Sequence, residues 1–212
     1  MEDGEIEVWL QPIAEADTLK VCGSEALSRW NMDGEYISPS VFISILEETG
    51  QIGILDEHVF ETVCGIQEKR ILEGTEIFPI SVNLSGVSLQ REDVVQRYAN
   101  ICRAHNVPQE YISIEITETF DADAEILEET AREFRSHGFA IEMDDFGAGY
   151  ASMANLALID YSVLKIDKSL VDGIGTERGE VVLKEVIALG DSLGMTVVAE
   201  GAETEEQVLF LR

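Results

Sequence analysis

Positive charge is what this 212-residue chain has least of: 14 Lys and Arg stand against 42 Asp and Glu, for a formal charge of −28. Such a polyanion repels phosphate backbones and anionic lipid, which argues against bulk binding to DNA, RNA or a membrane surface. An anionic ligand would have to be held by a few placed cations or by metal ions. Cysteine is also scarce. Cys22, Cys64 and Cys102 are scattered, with no C-x-x-C pair and no histidine at zinc spacing. That pattern predicts reduced core thiols in a cytoplasmic protein. No apolar run nears the roughly 20 residues needed to span a bilayer, and the acidic start MEDGE does not read as a signal peptide. With 45% hydrophobic residues, 17 Gly and only 4 Pro, the composition is globular, without linker or low-complexity stretches. One domain over residues 1–212 is expected.

What is present is an alternation of strand and helix patterns. Apolar period-two or continuous runs predict strands at 6–13, 20–30, 77–85, 111–117, 139–144, 162–167 and 195–200. Between them, helical patterns span 38–50, opened by Ser38-Pro39 and stopped by Gly50, then Leu55 to Leu72, and Ser88 to about His105. Further helices are expected over 124–138, in a short piece after Tyr150, in a region running to Leu193, and from Thr204 to Arg212. This alternation calls for a parallel α/β sheet. Seven strands are legible, where a closed (β/α)8 barrel needs eight. His58, His105 and His137 fall in helices or at helix ends, as surface or capping residues.

Polar and charged residues recur where the apolar strands end. They are Glu25, Asn83, Glu115 with Glu118, the adjacent pair Asp144-Asp145, Lys165 with Asp167, and Glu200 with Glu203. In α/β barrels these ends converge on one face, where sites are built. Acids terminating strands in an acidic protein explain some of this pattern. They do not explain Asn83 and Lys165 inside apolar runs (SVNLS, VLKID), since a Lys between Leu164 and Ile166 must reach an anionic partner or water. Carboxylates, one amide and one Lys make an oxygen-rich site suited to Mg²⁺ or Mn²⁺. Adjacent aspartates suit a bridged pair of metals, the usual device for in-line attack on a phosphate ester.

The segments LQPI (10–13), GSEALSRW (23–30), SVNLS (81–85), IEITET (114–119), MDDFGAGYAS (143–152), LKID (164–167) and AEGAE (199–203) together resemble the EAL domain family of cyclic di-GMP phosphodiesterases. The resemblance covers residues 7–212, with Glu25-Ala26-Leu27 as the naming motif. It implies a modified TIM (β/α)8-type barrel with one antiparallel strand. The family continues beyond Arg212 with an eighth strand carrying a QGY-type motif, so the expected fold lacks the last strand and helix: either the sequence is a piece of a longer chain, or the barrel has an open seam.

Carried over residue by residue, the resemblance implies two Mg²⁺ or Mn²⁺ ions per site. Glu25, Asn83, Glu115 and Asp144 hold one, and Asp144, Asp145 and Glu200 hold the other. Lys165 contacts the attacking water, with Glu200 as general base, and the product is linear pGpG. Gln11, Leu27 and Arg29 contact the substrate. Glu118 and Glu203 steady the loop 146–152, where a homodimer is expected to form; Ala148 stands where the family carries Thr or Ser. The resemblance also allows fusion to sensory or GGDEF-type domains in a longer bacterial signalling protein. The competing reading is a catalytically impaired cyclic di-GMP receptor. A kinase fragment, suggested by Asp145-Phe146-Gly147, lacks the accompanying G-x-G-x-x-G and H-R-D motifs.

Overall fold

The polar turn EADT folds the first thirty residues into a long hairpin. In the computed structural model, which describes residues 4–117, 124–148 and 153–212, β1 (Ile6–Ala14) pairs antiparallel with β2 (Val21–Met32). The register sets Gln11 opposite Glu25 and Glu7 opposite Arg29. A three-residue strand, β3 (Glu35–Ile37), turns back on β2. The remaining strands run parallel: β4 (Ile80–Asn83), β5 (Ile112–Thr117), β6 (Ala140–Phe146), β7 (Val163–Ile166) and β8 (Thr196–Ala199).

The sheet order is β1-β2-β4-β5-β6-β7-β8, with β3 attached to β2 alone. This path contains the seven expected strands, with β1 as the antiparallel member. β3 is an addition, because three residues beside a turn leave no period to detect. The sheet curls without closing: β1 and β8 end the path, and among the described residues no ladder joins them.

The helices are α1 (Pro39–Glu48), α2 (Ile52–Glu73), α3 (Gly86–Leu89), α4 (Val94–Ala104), α5 (Ala124–Ser136), α6 (Met153–Leu158), α7 (Lys168–Val171), α8 (Glu177–Ser192) and α9 (Glu205–Phe210). α2 packs on β4, α5 on β6 and α8 on β8. Parallel strands covered in this way are apolar on the helix side, and Ile80, Ile112, Ile114, Ile141 and Leu164 are fully buried. Aromatic rings join the helix layer: Phe60 of α2 lies 4.1 Å from Tyr98 of α4, and Phe134 of α5 meets Phe139 edge-on at 5.5 Å.

Two helices expected as single pieces are broken. Ser88 lies inside α3, whose N-cap is Ser85, so the stretch from Ser88 to His105 becomes α3 and α4. The region after Lys168 divides into α7 and α8 because Gly175 takes φ +91° and Thr176 caps α8 by accepting from the Gly179 amide. Of the cysteines, Cys64 and Cys102 are buried, with their sulfurs 3.9 Å apart. Cys22 is exposed, contrary to the expectation of a core thiol, because it sits at the hairpin end of β2, beyond the residues that pair with β4. His105 caps α4, and its Nδ1 lies 2.8 Å from Glu68. Among the described residues no helix is long and apolar enough to cross a membrane.

The α7–α8 break depends on direct backbone contact. A Cβ on Gly179 would lie 2.2 Å from the Gly173 carbonyl oxygen, and the obstacle is backbone, which cannot rotate away. Gly179→Ala should therefore destabilise the protein by about 1–3 kcal/mol. Chemical denaturation of the two forms measures this, and an unchanged midpoint refutes it.

Candidate active site

Side chains alternate along each strand, so one residue in two faces the inside of the curl. On β4 these are Ser81 and Asn83, on β5 Ser113 and Glu115, and on β6 Glu142 and Asp144. The ladders set Asn83 beside Glu115 and Glu115 beside Glu142. The upper members of these pairs, with Glu25 of β2, Lys165 of β7 and Glu200 just past β8, meet at the C-terminal edge of the sheet.

Lys165 is the centre of this group. Its Nζ lies 2.7 Å from Glu115, 2.8 Å from Glu200, 3.0 Å from Asp144 and 3.1 Å from Glu25. The Lys165 side chain is 2% exposed and that of Glu115 is 0%. Asn83 donates to the other oxygen of Glu25 at 3.3 Å. Contact between Lys165 and Glu115 is Coulombic, because among the described residues neither oxygen of Glu115 accepts a well-directed hydrogen bond. One layer below, Ser81 donates to buried Glu142 at 2.9 Å.

Neighbouring strand residues ordinarily point to opposite faces, which would separate Asp144 from Asp145. Two features bring them together. The β6–β7 register shifts between Met143 and Phe146, and Asp145 takes φ +58°, in the left-handed region. An irregularity of this kind re-aims side chains at a strand end. As a result, oxygens of Asp144, Asp145 and Glu200 lie within 4.8 Å of one another.

Charge is poorly balanced here, and the titration behaviour reflects it. Burial raises the Glu115 carboxyl well above its usual range; Lys165 opposes that rise, while Glu25 and Asp144 add to it. Burial likewise raises Glu200, against the pull of Lys165, and raises Asp145, with Asp144 adding to the effect. Burial alone would lower the Lys165 ammonium, but Glu115, Asp144, Glu25 and Glu200 outweigh it, so Lys165 stays charged. Five carboxylates thus face one ammonium. All-oxygen donors, three within ligand reach of one another, fit a hard divalent cation.

The expected substrate residues lie on the adjoining wall. Leu27 and Arg29 line a cavity of about 450 Å³ together with Asn83, Pro39 and Ile43. Gln11 is exposed on β1, opposite Glu25. Glu203 pairs with Lys168 at 3.1 Å, and Lys168 supports the loop after β8 where Gly201 takes φ +66°. Glu118 and residues 149–152 of the expected loop lie outside the described residues.

One cavity residue was not anticipated. Asp56 of α2 accepts from the Ser85 amide at 3.1 Å, from the Ser85 hydroxyl, and from the Ser88 hydroxyl at 2.7 Å. Burial raises its carboxyl, partly offset by the two serines. The sequence did carry a signal, an acid on the buried stripe formed by Ile52, Leu55, Val59 and Val63.

Cation binding to carboxyls with raised pKa values must displace protons. Mg²⁺ affinity should therefore strengthen as pH rises above the ordinary carboxyl values of 3.8–4.5, with net proton release. Calorimetry in buffers of different ionisation heat reads both quantities. An affinity that is flat with pH and releases no protons would contradict the charge distribution described above.

A family model described as EAL domain matches residues 1–212. An uncharacterized signaling protein of Caulobacter vibrioides is 36% identical over 99% of the chain, and the match spans 26% of that protein. The probable cyclic di-GMP phosphodiesterase PdeB of Escherichia coli is 32% identical over 100% of the chain, spanning 40% of that protein. The chain thus corresponds to less than half the length of these relatives. Among solved structures, the EAL enzyme Bd1971 in its cAMP- and cyclic-di-GMP-bound form superposes with a TM-score of 0.90 at 30% identity, over 99% of this chain and 58% of that one. The PaMucR phosphodiesterase in complex with c-di-GMP gives 0.89 at 30%, over 99% of this chain and 86% of that one.

Proposed function

This chain belongs to the EAL domain family, and from that premise we propose that it is a metal-dependent phosphodiesterase that opens one ester of cyclic di-GMP to give linear pGpG. The observation that carries the reading is the meeting of Glu25, Glu115, Asp144 and Glu200 around Lys165, with Asp145 turned toward the same point. Glu25, Asn83, Glu115 and Asp144 would hold one Mg²⁺ or Mn²⁺, and Asp144, Asp145 and Glu200 a second. When bound, such ions supply positive charge to a phosphodiester and acidify water.

The chain's own groups do the rest. Lys165 Nζ and Glu200 are in direct contact at 2.8 Å, so a water beside the pair that touches both would be oriented by the ammonium and deprotonated by the carboxylate. Burial raises the Glu200 pKa and makes it a stronger base than an exposed glutamate. Arg29 would meet a phosphate, and Leu27 and Gln11 would border the nucleotide. Glu118 and Glu203 are assigned to steadying the loop 146–152, through which a homodimer is proposed.

Incubation with cyclic di-GMP and Mg²⁺ or Mn²⁺ should yield pGpG on chromatography. Glu25→Ala should lower the rate by more than about 100-fold, and EDTA should stop the reaction. Undiminished turnover in either case would sink the mechanism. The competing reading is a receptor that binds the nucleotide without cleaving it. Calorimetric binding with no pGpG after prolonged incubation with metal distinguishes the two.

A further inference from the structure

Among the described residues, Arg29 is a cation without a carboxylate partner. It lines the cavity, half-buried, in a chain with 42 acids. Among the described residues it nevertheless makes no ion pair. Its Nη1 donates to the Ser28 carbonyl at 2.9 Å, and its guanidinium lies over the Trp9 ring at 5.5 Å. The partner that charge alone would select is Glu7, directly opposite Arg29 in the β1–β2 register. Antiparallel neighbours have Cβ atoms about 4.5–5.5 Å apart, and opposite charges at such positions ordinarily attract.

Glu7 is occupied elsewhere. Its carboxylate accepts from Asn31 Nδ2 at 3.0 Å, Trp9 Nε1 at 2.9 Å and Tyr36 Oη at 3.1 Å, so that both oxygens are used. These neutral donors, Asn31 foremost, hold the Glu7 carboxyl below its usual range. The rings reinforce the arrangement, since Trp9 meets Tyr36 edge-on at 5.5 Å. Tyr36 reaches this cluster because β3 places it beside Asn31, which gives that three-residue strand a purpose.

We propose that Trp9, Asn31 and Tyr36 are positioning residues that occupy Glu7 and so keep Arg29 unpaired, over the Trp9 ring and free to take a phosphodiester of the bound nucleotide. A guanidinium binds phosphate and carboxylate through the same planar fork, so a captured Arg29 is lost to the substrate in proportion to the strength of the capture. The inference rests on the reading of Arg29 as a phosphate contact.

The test removes donors and keeps rings. Trp9→Phe with Tyr36→Phe removes two of the three hydrogen-bond donors to Glu7 and preserves the aromatic contact. KM for cyclic di-GMP should rise about three- to fivefold with kcat unchanged, the size of an exposed ion pair competing for the guanidinium. Adding Glu7→Gln should return KM to its original value. Without nucleotide, the Arg29 Nε–Hε resonance should shift in the double variant and revert with Glu7→Gln. An unchanged KM, a KM rise that Glu7→Gln leaves in place, or an unmoved resonance overturns the proposal. Arg29→Ala in the otherwise native protein tests the underlying reading separately. A KM unmoved by Arg29→Ala removes Arg29 from the substrate site, and the proposal falls with it, whatever the double variant does.

Discussion

Inside the curl of the sheet, a single ammonium stands within 3.1 Å of four carboxylates, three carried by β2, β5 and β6 and one just past β8. Removing that many charges from water costs several kcal/mol per ion, and one lysine cannot compensate all of them. The remaining features of the site follow from this shortage. Glu115, Glu200 and Asp145 hold protons more readily than free carboxyls do, and Asn83 contributes a neutral donor to Glu25. On the opposite face of the same strands, Ile80, Ile112, Ile114, Ile141 and Leu164 are buried against the helices and hold the sheet that carries the group. A chain this acidic has few cations to place, and it has buried one of them at the point where its acids converge.

The parallel sheet, and the placing of Asn83, Glu115, Asp144 and Lys165 near strand ends, were legible in the sequence from side-chain direction and short-range period. Glu25, read as another strand-end residue, falls instead inside β2 because that strand continues to Met32. Lys165 between Leu164 and Ile166 was the clearest signal, as a buried cation requires partners. What period cannot reveal is register. Nothing in the string shows that Glu7 lies opposite Arg29, that β3 brings Tyr36 to the pair, or that Asp145 turns to join Asp144. Local breaks were equally hidden. The α7–α8 interruption arises from Gly173 and Gly179 touching through their backbones, and Cys22 is exposed because of where it falls along its hairpin. Asp56 is an intermediate case: it interrupts an apolar stripe, but only the fold shows that the cavity lies beside it.

The cavity wall and the carboxylate cluster manage charge in opposite ways. Around Lys165, acids crowd one cation. Around Arg29, neutral donors keep the nearest acid occupied and leave the cation open. β2 carries both devices, with Glu25 facing the first and Arg29 belonging to the second, so its alignment against β1 and β4 sets both at once.

The left-handed backbone at Asp145 has a consequence for how this position tolerates change over evolutionary time. A non-glycine residue held there costs on the order of 1 kcal/mol or more, a cost that glycine would relieve. Stability alone therefore favours replacing the aspartate, and only a use for its carboxylate opposes that drift. Where the carboxylate has no use, exchanging it for glycine removes that backbone cost.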